Sequence, residues 1–178
     1  MLGADAVYDS NFLMSYYPQS KNTTNVYGVL DEFAYKFALE LLQKTEKPLF
    51  IVLLTTTNHP PYILPQNFVP PKYNLEPKIS LFREDKKDKI HTSLSAFSYA
   101  SNVFGDFVSS IKNSNLAQNT IIAGSGDHTF RDFKASHNVP LNHAVPFYLY
   151  VPNAYTKDFK KRGFEFDHQK LGSHKDIL

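Results

Sequence analysis

Asn119-Thr120-Ile121-Ile122-Ala123-Gly124-Ser125-Gly126-Asp127-His128 begins as a β-branched run, passes through small residues and stops at a carboxylate beside an imidazole. A short apolar run closed by glycines reads as a buried strand followed by a tight turn. In open α/β sheets the ligand site lies beyond the carboxyl ends of the strands, where Asp127 and His128 would sit. Both side chains suit a metal, one as a hard oxygen donor and one as an imidazole nitrogen. Taken alone, an Asp-His dipeptide is most simply a solvated pair in a loop.

A second stretch changes that reading. Leu49-Phe50-Ile51-Val52-Leu53-Leu54 follows Pro48 and leads through Thr55-Thr56-Thr57-Asn58 to His59, after which Pro60 and Pro61 forbid continuation. An unbroken apolar run of this length predicts a strand buried on both faces, as in a parallel sheet. Two such strands, each delivering a histidine at its carboxyl end, would bring both histidines to one sheet edge.

Length and composition set the bounds. The chain has 178 residues, 42% of them hydrophobic and 20% charged, which is enough to bury one domain core. A formal charge of +2 argues against nucleic acid as a partner, and the clusters at Lys86-Lys87-Asp88-Lys89 and Lys157 to Arg162 read as solvated faces. With no cysteine there is neither a disulfide framework nor a thiolate zinc site. The longest apolar run is strand-length, so no membrane span is expected, and residues at the N-terminus lack a signal-peptide pattern.

Residues 1–28 are rich in turn formers and predict an irregular lead-in; residues 29–178 carry the α/β pattern. From Leu30 to Lys44 the spacing of Phe33, Phe37 and Leu41 with Ala34, Ala38 and Leu42 predicts a helix, with Asp31 as its cap. Pro60 to Asp88 is proline-rich, either a surface connection or a substrate-facing wall. His91 to Asn113 predicts a second helix, with a core stripe of Leu94, Phe97, Ala100, Phe104, Phe107, Val108 and Ile111 and with Thr92 or Ser93 as cap. Thr129 to His143 is a polar loop, Val145 to Pro152 a third strand, and Ser173 the cap of a helix that begins as the chain stops. Alternating helices and strands imply an α/β fold with a mostly parallel sheet and flanking helices.

The segment Thr55-Thr56-Thr57-Asn58-His59-Pro60-Pro61-Tyr62 resembles the Thr-Ser/Thr-Asn-His-Pro-Pro-Tyr segment of sulfatase-like proteins in the alkaline phosphatase superfamily. Among these it is most similar to lipoteichoic acid synthase and related phosphoglycerol transferases. Ala96-Phe97-Ser98-Tyr99-Ala100, Gly126-Asp127-His128, Val145-Pro146-Phe147 and Ser173-His174-Lys175-Asp176-Ile177 are similar to that family's later motifs, in the same order. The resemblance implies part of an alkaline-phosphatase-like α/β/α sandwich. It implies that Asp127 and His128 ligate a divalent metal, Mn²⁺ or Zn²⁺ with Mg²⁺ as a third candidate, and that His59 is catalytic, stabilising the transferred group or protonating its leaving alcohol. Asn58, Arg131 and His137 are candidates for contacting the phosphate or sulfate. His143 and His174 read as structural or surface residues, and His91 and His168 carry no signal.

Relatives place a threonine nucleophile, or a modified cysteine or serine in true sulfatases, well upstream of the Asn-His-Pro-Pro segment. An acidic metal ligand lies upstream of that, and residues 1–28 hold nothing similar to either element, although Asp5, Asp9 and Thr23 have suitable types. The chain therefore reads as the C-terminal half of a catalytic domain. The function expected of the whole protein is metal-dependent phosphoglycerol transfer or sulfatase-type ester cleavage. By resemblance it lies on the extracytoplasmic face of a bacterial inner membrane, with a phosphatidylglycerol-like head group as a candidate substrate and the missing N-terminal half as a partner. Two alternatives stand beside it. One is a catalytically silent interaction module that keeps the fold. The other, a nucleotide-binding protein, is disfavoured because no glycine-rich phosphate loop follows any strand.

Overall fold

Two helices lying against each other organise the chain, and a small sheet and long loops are attached to one side of them. The computed structural model describes residues 3–134, 137, 139–163, 167 and 170–176; His168, Ile177 and Leu178 fall outside them. Helix α1 spans Ser10–Tyr16, α2 Asp31–Lys44, α3 Ile90–Lys112 and α4 Asn153–Lys161; strand β1 is Ile122–Ser125 and β2 Phe147–Tyr150.

The lead-in is more ordered than its turn-rich sequence predicts. Asp9 caps α1 by accepting from the Phe12 amide at 2.8 Å, and Phe12 and Tyr16 stack one turn apart. Tyr17 Oη and Tyr16 Oη donate to the two oxygens of Glu40 at 2.6 and 3.0 Å, which fastens this turn of chain to α2. Leu13 and Tyr17 share a buried cluster with Val29, Leu30, Phe33, Phe37 and Tyr99, so residues before 29 pack into the same core as those after it.

Helix α2 forms where the apolar spacing predicts, with one correction. Leu30, not Asp31, is the N-cap, and the Asp31 side chain turns inward. Its Oδ1 accepts from the amides of Thr56 and Thr57 at 2.7 and 3.0 Å, while the Asp31 amide donates to Thr57 Oγ1 at 2.8 Å. A buried carboxylate is tolerated only with such donors. In α3 the buried residues are Ile90, Ser93, Ser95, Ala96, Tyr99, Phe107 and Ile111, and Phe97 is 56% exposed rather than core. Small side chains mark where the helix is covered closely, and a template that counts only large apolar residues passes over them. Neither Thr92 nor Ser93 caps the helix; Ser93 Oγ instead donates back to the Ile90 carbonyl at 3.0 Å.

The sheet differs most from expectation. β1 and β2 pair antiparallel, with Ile122 opposite Tyr150 and Ser125 opposite Phe147. A parallel pair would need a crossover element between its strands, and among the described residues the connection holds only a 3₁₀ turn at Pro140–Asn142. Residues 49–54 form no regular element and belong to no ladder among the described residues. Ile51 and Leu53 pack against the cluster of Ala38, Phe107, Ile111 and Leu116, whereas Phe50 and Leu54 are 90% and 85% exposed. The run is thus buried on one face rather than two. Residues 153–161, read from the sequence as a charged tail, wind into α4 after the buried Pro152, and the C-terminal start of a helix is a 3₁₀ turn at His174–Asp176.

Two substitutions test the inward Asp31. Asp31→Ala strands two backbone donors and should lower unfolding free energy by about 2 kcal/mol in urea titrations. Burial, the largest influence, raises the Asp31 pKa above 3.8 against the opposing amide bonds from Thr56 and Thr57. A raised folded pKa means that its contribution is full below the unfolded value and is lost as pH rises through the folded one. Relative to Asp31→Asn, the parent should therefore lose stability as pH climbs from about 3.8 through the raised value; parallel pH profiles would contradict a buried, ionising Asp31.

Candidate active site

The first loop grows out of the Asp31 anchor. Thr57 is buried, Thr56 Oγ1 donates to the Val29 carbonyl at 3.0 Å, and the chain then emerges into solvent at Asn58 and His59. The Tyr62 amide closes the turn on the His59 carbonyl at 3.0 Å, across a cis Pro60–Pro61 bond and with Tyr62 at φ 59°. The His59 ring lies against Tyr27, ring centroids 3.6 Å apart, and its Nδ1 faces the Pro60 carbonyl at 3.4 Å. A carbonyl only accepts, so that nitrogen carries a proton and Nε2 is the one left to meet a substrate.

The second loop leaves β1. Gly124 in the strand lies under Phe104, where a Cβ would come within 3.3 Å of that ring. Gly126 is equally confined, since a Cβ there would meet the Val145 side chain at 3.3 Å. The next two residues are arranged as a pair of donors. The His128 amide donates to Asp127 Oδ1 at 2.9 Å, His128 Nδ1 donates to the Thr129 carbonyl at 2.7 Å, and His128 Nε2 faces Asp127 Oδ2 at 3.7 Å.

This arrangement fits part of a metal shell. With Nδ1 committed to a carbonyl, Nε2 holds the lone pair, which is the usual outer-shell arrangement of a ligating histidine. Two donors on a metal with bonds of about 2.1 Å stand about 3.4 Å apart in a tetrahedron, close to the spacing here. The Asp127 side chain is 90% exposed, leaving room for an ion and further ligands. Among the described residues no group of three or more His, Asp or Glu side chains is placed to hold a metal, so the pair contributes two donors and His59 is not a third.

Burial raises the Tyr62 pKa, and the Asp132 carboxylate adds to the rise. The proline-rich stretch crosses the same ground. Phe82, buried, forms a bridge with Phe133 in which the Arg83 amide donates to the Asp132 carbonyl and the Lys134 amide to the Leu81 carbonyl, both at 2.8 Å. Its ring packs against Phe133 and Phe130 at centroid distances of 4.9 and 6.5 Å. Of the two readings of this stretch, a plain surface connection is the poorer description: its end is built onto the segment that follows Asp127 and His128.

Asn58, Arg131 and His137 are all exposed, and among the described residues none has a hydrogen bond or ion pair. His143 is exposed at the end of the 140–142 turn, and His91 is exposed on α3. His174, read from the sequence as a structural or surface residue, reaches the loop before Asp127, with Nε2 2.8 Å from the Gly126 carbonyl. No local pattern announces a contact spanning 48 residues.

The family model described as Sulfatase matches residues 1–177, and the chain belongs to the sulfatase family. Members of the family act on sulfate or phosphate esters and are generally dependent on divalent metal. The chain is also similar to a protein in the alkaline phosphatase superfamily from Vibrio parahaemolyticus, whose crystal structure shares 27% identity with a TM-score of 0.49. The match covers 75% of this chain and 31% of that one, so the chain spans about a third of that protein's length.

Phe82→Ala should release the proline-rich stretch from the site. A buried Phe→Ala costs about 3–5 kcal/mol, and here the loss should be local. Hydrogen exchange should speed up together at residues 81–83 and 132–134 while α2 and α3 stay protected; unchanged exchange at 132–134 would contradict the coupling.

Proposed function

We propose that this chain supplies the leaving-group side and two metal donors of a phosphoryl- or sulfuryl-transfer site, in a protein whose closest activity is phosphoglycerol transfer of the lipoteichoic acid synthase type. The observation that carries the reading is the Asp127–His128 pair, with His128 Nδ1 held by Thr129 and Nε2 3.7 Å from Asp127 Oδ2. Asp127 brings negative charge and His128 a neutral nitrogen to a divalent cation, Mn²⁺ or Zn²⁺ or else Mg²⁺. Such an ion supplies Lewis-acid stabilisation of the non-bridging oxygens and lowers the pKa of an attacking hydroxyl. His59, with Nδ1–H held on the Pro60 carbonyl, would give a second proton from Nε2 of its imidazolium form to the departing alcohol, at the tip of a turn whose ring packs on Tyr27. Asn58, Arg131 and His137 offer uncommitted polar groups to the oxygens of the ester.

The attacking hydroxyl comes from polypeptide outside this chain. Supporting that division, the outer face of residues 49–54 presents Phe50, Val52 and Leu54 to solvent, and no ladder pairs their backbone among the described residues. An apolar segment with its backbone outside any ladder suits the addition of further sheet. A lipid-linked phosphodiester such as a phosphatidylglycerol-like head group is the donor this reading favours, acted on outside the inner membrane of a bacterium. Among the described residues no helix is long and apolar enough to cross a membrane, so attachment would rest on polypeptide beyond these elements or on the lipid substrate itself.

The test uses a longer protein that includes the upstream portion, assayed on a lipid and on a soluble phosphodiester and sulfate ester with Mn²⁺. His59→Ala should lower kcat by about 100-fold or more with little change in metal affinity, while residues 1–178 alone turn over nothing. Turnover by the chain alone, abolished by His59→Ala, would place the nucleophile within it; full activity of His59→Ala in the longer protein would remove His59 from the reaction.

A further inference from the structure

We infer that His174 is a positioning residue for the Asp127–His128 turn, holding the Gly126–Asp127 peptide so that the carboxylate and the imidazole face one ion. The inference rests on the reading of that pair as metal donors, and it starts from the polar groups of Gly126. On one side the Gly126 amide donates to the Pro146 carbonyl at 3.4 Å, continuing the β1–β2 ladder by one step. On the other side its carbonyl accepts from His174 Nε2 at 2.8 Å and from Ser125 Oγ at 3.0 Å. His174 Nε2 and Ser125 Oγ are themselves 3.1 Å apart, so the three groups form one compact knot.

The geometry fixes the chemistry of the ring. A carbonyl oxygen cannot donate, so His174 Nε2 must carry the hydrogen. That hydrogen bond sets the plane of the peptide directly before Asp127. A residue's side-chain direction follows from the peptide that precedes it, so rotation of this plane would swing the Asp127 carboxylate away from His128 Nε2. Ser125 Oγ alone cannot do the same work, because it hangs from the adjoining residue and moves with the turn. His174 comes from a distant part of the chain, on the 3₁₀ turn His174–Asp176, and so ties the loop to a segment outside it. The clearance at Gly126 agrees with this: Val145 closes one side of the residue and leaves it a narrow range of positions. The turn is thereby held by β2 and by the C-terminal segment together, which is the support that a metal loop needs when its own two donors are exposed.

The experiment measures Mn²⁺ binding to the full chain by titration calorimetry, with thermal midpoints and histidine nitrogen NMR on the metal-free protein. Before metal is added, the NMR should find His174 carrying hydrogen on Nε2. His174→Ala should raise the Mn²⁺ dissociation constant about tenfold, while His174→Gln, whose amide can donate from nearly the same place, should come back to within about twofold of the parent. A packing role alone would not be rescued by glutamine. If His174→Ala lowers the thermal midpoint, the parent-to-glutamine comparison carries the result. Asp127→Asn separates the two readings. Loss of binding in Asp127→Asn with parental binding in both His174 variants overturns the positioning role only. No effect of Asp127→Asn overturns the metal reading and the positioning role with it. A metal-free His174 with hydrogen on Nδ1 alone overturns the positioning role whatever the metal does.

Discussion

The buried carboxylate of Asp31 is the constraint on which the first half of the site depends. It sits in the first turn of α2, accepts from the amides of Thr56 and Thr57, and has its own amide held by Thr57 Oγ1. An unpaired carboxylate at this depth would neutralise or force the structure open, so these bonds and the helix stand or fall together. Because α2 is locked to α1 by Glu40 and packed on α3 through its apolar face, the anchor refers the end of an otherwise unpaired segment to the helical core. Asn58 and His59 inherit their position from that reference. Only one residue separates the last anchored amide from the His59 turn.

The second half of the site is built differently. Asp127 and His128 depend on a two-stranded ladder, a confined glycine and contacts from distant chain, with no helix terminus behind them. Phe82, packed on Phe130 and Phe133, joins the end of the proline-rich stretch to the segment after His128. A site made of two separately anchored loops can be tuned by either, and long loops tied down at their ends by aromatic contacts are a common way to wall one. The proline-rich stretch fills that place here.

The sequence made α2 and α3 readable because the apolar spacing persists over 14 and 23 residues, long enough to outvote single residues. It misled at Phe97 because two stripes overlap on α3, and the buried one is marked by Ser93 and Ala96, which carry little hydrophobic signal. Residues 49–54 are apolar at every position, so nothing in their order tells a one-sided strand from a two-sided one; the alternation between Ile51 or Leu53 and Phe50 or Leu54 exists only in the packing. Antiparallel pairing of β1 with β2 hangs on what the intervening loop lacks, which residue types state poorly. α1 was hidden among turn formers although Asp9 and the Phe12–Tyr16 pair were its signals. At the site, Asp127, His128 and His59 stood out through a resemblance spread over several motifs, whereas the inward turn of Asp31 and the reach of His174 are tertiary facts with no local trace.

The central claim is that the His59 turn and the Asp127–His128 loop face a single ion and substrate. Paramagnetic relaxation by Mn²⁺ tests it most directly, since the broadening of each amide signal falls steeply with its distance from the ion. At low Mn²⁺ the account predicts the strongest broadening at residues 126–128, the next strongest at residues 58–62, and little at the far end of α2 near Thr45. Broadening led by the acidic residues Glu84, Asp85 and Asp88, with 126–128 and 58–62 both spared, would contradict it.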